Sequence, residues 1–211
     1  HLVRGSGGNY SGPFDIETRG SAHQDGIYGF THELTNSSKL PIQCVDGYRV
    51  KITNSDDTDA DDYYVKFVAS STVLGYGAGS WEETVAPGIK YKFDPETMPH
   101  LLTRDANGHF TFEPATYEER IVGDNDTNPI PSFIGKLING VFVYRNRLGL
   151  LAGDSIIMSR ANDFFNFWNK TALTSSDDDP IDVDCTSTKP QTLRYVVPQS
   201  TGLVVFGQNE Q

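Results

Sequence analysis

The sequence predicts a mainly β chain, with incomplete β-propeller blades in its second half and a small β domain before them. Three observations carry this expectation. Short runs rich in Val, Ile, Tyr, Phe and Thr are separated by clusters of Gly, Pro, Asn and Asp, the punctuation of strands and turns. Windows with helical periodicity are scarce. Finally, two segments near the end rhyme. GVFVYRNRLGLLAGDSIIMSR reads strand, tight turn, strand, Gly-Asp turn, strand; TLRYVVPQSTGLVVFGQNEQ reads strand, turn, strand, and stops. Successive antiparallel hairpins with a recurring apolar strand end are what neighbouring propeller blades look like in sequence.

Taken in order, residues 1–41 form a polar N-terminal segment rich in Gly, Ser, Asn and His. Its opening HLVRGSGG resembles a tag or protease-site remnant and carries no weight in fold reasoning. Residues 42–112 read as a compact β unit. A strand is expected at Ile42–Thr53 and another at Asp62–Ser70, with the acidic loop NSDDTDADD between them. In YVKFVA, Tyr64 and Lys66 alternate with Val65 and Phe67, which predicts one exposed and one buried face. The glycines of GYGAGS are expected in turns, and short helical turns are expected at PETMPHLL and RANDFFNFW. The two prolines of VGDNDTNPIPSF disfavour both helix and central strand, so residues 113–131 read as a linker.

Residues 132–211 hold the partial propeller. Its strands are expected within Gly140–Gly153, broken by a tight turn, and at Ser155–Arg160, Thr192–Val197 and Gly202–Gly207. The second copy of the rhyme stops where its third strand should begin, so the sequence is expected to be the N-terminal part of a longer protein.

Charge narrows the function classes. Acids outnumber bases among the 211 residues, giving a formal net charge of −11. Tight binding to a phosphate backbone needs clustered Lys and Arg, so a groove-reading DNA binder is disfavoured. A wall that DNA slides past without sticking is compatible with the same charge. There is no run of about 18 apolar residues. The two cysteines, Cys44 and Cys185, fall outside any C-x-x-C pattern and read as buried thiols.

Asp57, Asp59 and Asp61 alternate like the first half of a calcium loop, but Asp62 stands where such a loop needs Gly and Val68 where it needs Glu. They are weak metal candidates in what reads as a solvated hairpin loop. The five histidines are scattered without ligand spacing. GYGAGS lacks the ending of a P-loop, there is no G-x-S-x-G elbow, and no cofactor is expected.

The remaining candidates are structural or interfacial. Arg145, Arg147, Arg160 and Arg194 fall within the blade segments, where they meet either a neighbouring subunit or channel, or local carboxylates at Asp163 and Asp177–Asp184. DFFNFW concentrates Phe165 and Trp168 for core packing or an interface patch. In TSSDDDPIDVDCT, Pro180 bars a central strand before IDVDC, whose Ile181 and Val183 alternate with Asp182 and Asp184 in a half-exposed strand. Asp178, Asp179 and Asp182 are expected to orient nearby arginines. The enzyme alternative is a polysaccharide hydrolase using Asp178 with Asp182 or Glu82 with Glu83, and a glycan-binding module is its non-catalytic variant.

The string GDNDTNPIPSFIGKLINGVFVYRNRLGLLAGDSIIMSRANDFFNFW followed by DDDPIDV resembles the tail tubular protein B, or nozzle, family of short-tailed bacteriophages. Upstream, DYYVKFVAS, WEETVAPG and ETMPHLL resemble the same family in the same order, so the resemblance covers roughly residues 42–211. It implies a virion structural protein forming a hexameric ring beneath the ring of tail tubular protein A, around the conduit through which viral double-stranded DNA leaves, with tail fibres anchored at the junction. It also implies a β-propeller core with β-rich insertions, residues 42–112 being one such β-rich insertion domain. It defines no catalytic residue.

Overall fold

The computed structural model describes residues 30, 32–53, 62–71, 75–186 and 192–208. Among these the chain is mainly β, with two short 3₁₀ turns, at Ser37–Lys39 and Pro95–Thr97.

The first sheet is built from β1 (Glu33–Leu34), β2 (Gln43–Val45), β3 (Arg49–Ile52), β4 (Tyr63–Ala69) and β5 (Tyr76–Thr84), in the order β1-β3-β4-β5-β2. β1 runs parallel to β3 and the other neighbours are antiparallel. The stretch expected as one strand, Ile42–Thr53, is two. Asp46 and Gly47 turn the chain, with Gly47 at φ +77°, where a side chain would be strained. The turn wraps the end of β4: Gly47 N–H donates to Phe67 O at 2.9 Å, and the Asp46 carboxylate accepts from Ala69 N at 3.0 Å. β2 and β3 therefore land on opposite sides of β4.

The alternation read in YVKFVA holds. Val65 and Phe67 are buried with Val50 and Ile52, while Tyr64 and Lys66 face outward. Trp81 closes this core, meeting Phe67 edge-on at 5.1 Å and donating its indole N–H to Pro41 O at 2.8 Å. The glycines of GYGAGS are mostly not turn residues, because Gly77 and Gly79 lie inside β5. A Cβ at Gly79 would stand 2.1 Å from Val68 O, so a close backbone approach requires glycine there.

The second sheet is an antiparallel meander of β8 (Ile138–Tyr144), β9 (Arg147–Ala152), β10 (Ser155–Met158) and β11 (Ile181–Asp184). The β8–β9 turn places Arg145 and Asn146 at φ 46° and 57°, the left-handed pair that suits the twist of a two-residue hairpin. Asn146 is held there by a 3.0 Å hydrogen bond from its side-chain amide to Asn162 Oδ1. β12 (Leu193–Pro198) and β13 (Leu203–Gly207) form a further hairpin. It sits beside β8, tied by Tyr144 Oη donating to Gln199 O at 3.2 Å and by Leu193 N–H donating to Gly153 O at 2.8 Å.

The second core is aromatic. Phe93, Phe133, Phe167 and Trp168 pack with Met98, Leu150, Ala152 and Ile157, and Trp168 stacks on Phe93 at 4.9 Å and 10°. Phe93 and Met98, which the sequence reading groups with residues 42–112, pack here and not in the first core. Residues 113–131 carry buried Ala115, Arg120, Val122 and Asn128. Between these parts, β6 (His100–Arg104) and β7 (Phe110–Pro114) make an exposed hairpin. Of the expected helical turns, PETMPHLL keeps one at Pro95–Thr97, capped by the Asp94 carboxylate, before His100 enters β6. RANDFFNFW contains turns and no helix.

Glu83 joins the two halves. Its carboxylate accepts from Thr171 Oγ1 at 2.7 Å and Ala172 N at 3.0 Å, and beside it Val85 bridges Gly123. Glu83→Ala is expected to lower stability by about 1–3 kcal/mol, the usual worth of hydrogen bonds to a charged group. Glu83→Gln, which keeps an acceptor for one donor, recovers part of that loss. Urea midpoints of the three proteins, with unchanged slopes, check this.

Candidate interaction sites

Arg147 organises the turns at one end of the second sheet. It opens β9, is buried to 7% exposure, and points its guanidinium into a ring of backbone carbonyls. Nη1 donates to Ser159 O at 2.7 Å, Asp179 O at 2.7 Å and Asp178 O at 3.4 Å, and Nη2 donates to Asp177 O. The aspartate loop thus offers Arg147 its carbonyls. Its carboxylates are used elsewhere: Asp179 accepts from Ser176 N at 2.7 Å and Lys170 N at 3.3 Å, and Asp182 accepts from Ser132 N at 2.7 Å. Asp178 is exposed, with its N–H donated to Ser176 Oγ at 3.3 Å.

The other arginines have different surroundings. Arg145 reaches back over the Tyr144 ring at 5.1 Å and donates from Nη2 to Ser200 O at 3.1 Å, pinning the β12–β13 turn. Arg160 is linked to Asp163 through a backbone bridge, and its buried Nε has no acceptor among the described residues. Arg194 is exposed on β12 at a register irregularity.

In the aromatic run, Phe165 is half-buried and meets Tyr117 edge-on at 5.5 Å. Trp168 is buried at 3% exposure and donates Nε1–H to Glu118 O at 3.1 Å. Asp57, Asp59 and Asp61 lie outside the described residues. Among the described residues no group of three His, Cys, Asp or Glu is placed to hold a metal ion. Cys44 and Cys185 are unpaired and half-buried; burial, then the nearby charges of Asp154 and Asp184, pushes the Cys185 thiol up.

Two of the four carboxylates considered for hydrolysis are engaged in hydrogen bonds, Asp182 with Ser132 N and Glu83 with Thr171 and Ala172. Glu82 and Glu83 are consecutive in β5 and point to opposite faces, and Glu83 is committed to Thr171 and Ala172. β11 is more open than the expected half-exposed strand: all four of its residues are exposed, because it is the edge of the meander.

Two polar networks escaped the sequence reading. Lys136 Nζ donates to Ser155 Oγ at 2.7 Å and pairs with Asp154 at 3.2 Å, while Ser155 Oγ donates to Asp184 Oδ1 at 2.6 Å. This ties the segment before β8 to the β9–β10 turn and the end of β11. The second surrounds Arg120, which is 1% exposed and lies over the Trp168 ring at 5.4 Å. Near it, burial alone would push Asp124 up. Hydrogen bonds from Thr127 and Asp126, with the Arg120 charge, outweigh burial and hold that carboxyl below its ordinary value. An acidic Asp-Asn-Asp-Thr string does signal such a turn, but no local pattern marks Arg120 as buried.

Known proteins resemble this chain along most of its length. The sequence model of the family described as bacteriophage nozzle protein matches residues 6–211. Tail tubular protein gp12 of Escherichia phage T7 is 41% identical over 181 residues, which covers 86% of this chain and 22% of that protein. The chain thus spans about a fifth of the length of that relative. Match and identity together place the chain in the bacteriophage nozzle protein family.

Proposed function

We propose that this chain is part of a virion tail nozzle and that its work is structural. In this reading the full-length protein assembles with copies of itself into a hexameric ring, docks beneath the tail tubular protein A ring, helps anchor tail fibres and surrounds the path of the leaving DNA. Family membership and the long identity to a tail tubular protein support it. The net charge of −11 suits a wall that does not hold the duplex, since a phosphate backbone is repelled by net negative charge.

One observation carries the architectural part. β8 to β11 form a four-stranded antiparallel meander in chain order, and the next hairpin, β12–β13, starts again beside β8. That is the arrangement of one propeller blade followed by the first two strands of its neighbour. On this reading the structural units divide near Val85, where the chain leaves β5, and residues 85–131 belong with the blade that their Phe93 and Met98 support. The exposed apolar residues Val141, Val143, Ile181 and Val183 then fall on surfaces that further blades or subunits cover. No observation favours the hydrolase reading: Asp182 holds the Ser132 N–H and Glu83 the joint between halves.

Native mass spectrometry of the full-length protein, alone and with the upper-ring partner, tests this. A hexamer that forms or is strengthened with the partner is expected. A protein that stays monomeric under all conditions and ignores the partner overturns the proposal.

A further inference from the structure

Arg120 is a fully buried charge whose hydrogen bonding is incomplete. Its backbone N–H donates to Tyr91 O at 2.6 Å, and Nη1 donates to Lys90 O and Asn125 Oδ1, each at 3.2 Å. Nε and Nη2 are buried and have no acceptor among the described residues. These two nitrogens form one edge of the guanidinium, the edge whose parallel N–H groups match the two oxygens of a carboxylate. Leaving such a pair of charged donors dry and unmatched is costly. Asp124 acts on the guanidinium only through its charge, without a hydrogen bond to that edge.

Arg120 lines a cleft of about 810 Å³ between the outer face of the first sheet and the segments following β5 and preceding Val122. Arg49 and Lys66, neighbours across the β3–β4 ladder, line the same cleft and add positive charge to its wall. Glu82, Glu83 and Glu119 also line it, and Ile121 and Tyr91 form an exposed apolar rim at 63% and 42% exposure. With three acids set against Arg49, Lys66 and Arg120, the cleft suits a single carboxylate better than a polyphosphate. The apolar rim suits the flanks of a polypeptide.

We propose that this cleft receives an aspartate or glutamate side chain from an acidic, partly apolar segment of a partner protein, whose carboxylate completes the Nε–Nη2 edge of Arg120. Because the two nitrogens are closed off from solvent, the incoming segment displaces part of the cleft lining as it enters. Arg49 and Lys66 attract the acid, and Ile121 and Tyr91 contact its apolar neighbours. The inference does not depend on the ring stoichiometry proposed above.

The Nε–Hε resonance of Arg120 in the ¹⁵N-labelled chain reads this site directly. The probes are a capped Leu-Glu-Leu-Glu-Leu peptide, its glutamine counterpart, sodium acetate and inorganic phosphate. The glutamate peptide is expected to shift the resonance saturably, and the glutamine peptide to leave it in place. Arg120→Lys, which keeps the charge and loses the edge, is expected to weaken binding by roughly tenfold to a hundredfold, the scale of a lost charged hydrogen-bonded pair. Should that variant fail to fold, Arg49→Ser with Lys66→Ser, both in the cleft wall, tests the same site and is expected to weaken binding about tenfold. An Arg120 resonance unmoved by the glutamate peptide overturns the proposal. So does an equal response to the glutamine peptide, or an equal response to acetate or phosphate at matched concentration, which marks a site for free small anions.

Discussion

Trp168→Ala is expected to lower the stability of the chain by about 3–5 kcal/mol, the scale for removing a large aromatic from a packed core. The position concentrates three interactions. Its ring stacks on Phe93 at 4.9 Å, supports the Arg120 guanidinium at 5.4 Å, and its indole N–H is donated to Glu118 O. Truncation leaves a cavity beneath Phe93 and strips the buried guanidinium of its aromatic face, so loss of packing and loss of charge solvation fall on one site. Trp168→Phe keeps a stacked ring while losing the N–H, and is expected to cost less than half as much. Urea unfolding of both variants, with slopes compared to the parent, measures the difference. A Trp168→Ala midpoint within about 0.5 kcal/mol of the parent, the range of ordinary surface substitutions, contradicts the packing described.

Arg147→Ala is the second large effect, at about 3 kcal/mol or more. Ser159, Asp177, Asp178 and Asp179 each turn a carbonyl toward this side chain. Removing it leaves the buried Ser159 carbonyl and the part-buried Asp177 and Asp179 carbonyls without this donor, while Asp178 O keeps the Ala161 N–H; each orphaned buried group costs about 1–3 kcal/mol. For a chain of this size such a loss lowers Tm by about 2–4 °C per kcal/mol. Arg147→Lys tests whether the planar fork matters: an ammonium keeps the charge but has no pair of coplanar nitrogens to span these acceptors. Lysine is therefore expected to recover less than half of the loss. Because the node ties the loop before β11 to the start of β9, amide exchange should quicken first at Ile181–Asp184 in both variants. Uniform quickening across the sheet, or none, contradicts the assigned role.

Much of the second half was legible because its signals are local. The tight turn at Arg145–Asn146, the Gly153–Asp154 turn and the apolar runs around them specify the hairpins without help from the rest of the chain. The same holds for β4, where alternation alone names the buried face. Ile42–Thr53 misled because its apolar content masked an Asp-Gly turn that was present in plain view at Asp46–Gly47. Gly79 could not be read as a strand residue, since the carbonyl that crowds it comes from the facing strand.

The sites were less legible, and for one physical reason. A side chain's type is local, but its partners are tertiary. The five aspartates between Asp177 and Asp184 announce carboxylates, yet the turns that carry them direct carbonyls at Arg147 and leave several carboxylates to cap neighbouring N–H groups. Arg120, preceded by Glu118 and Glu119, carries no local mark of burial. It becomes a buried charge only because Trp168 and the loop at Lys90 close around it.

The central proposal is that β8 to β11 form a propeller blade within a ring at the tail's end. Electron cryomicroscopy of the full-length protein bound to its upper-ring partner tests it most directly. The expected map shows a six-fold ring in which these four strands form one radial sheet and β12–β13 open the adjacent blade. A map showing no ring, or showing β12–β13 added to the β8–β11 sheet as its fifth and sixth strands, would contradict it.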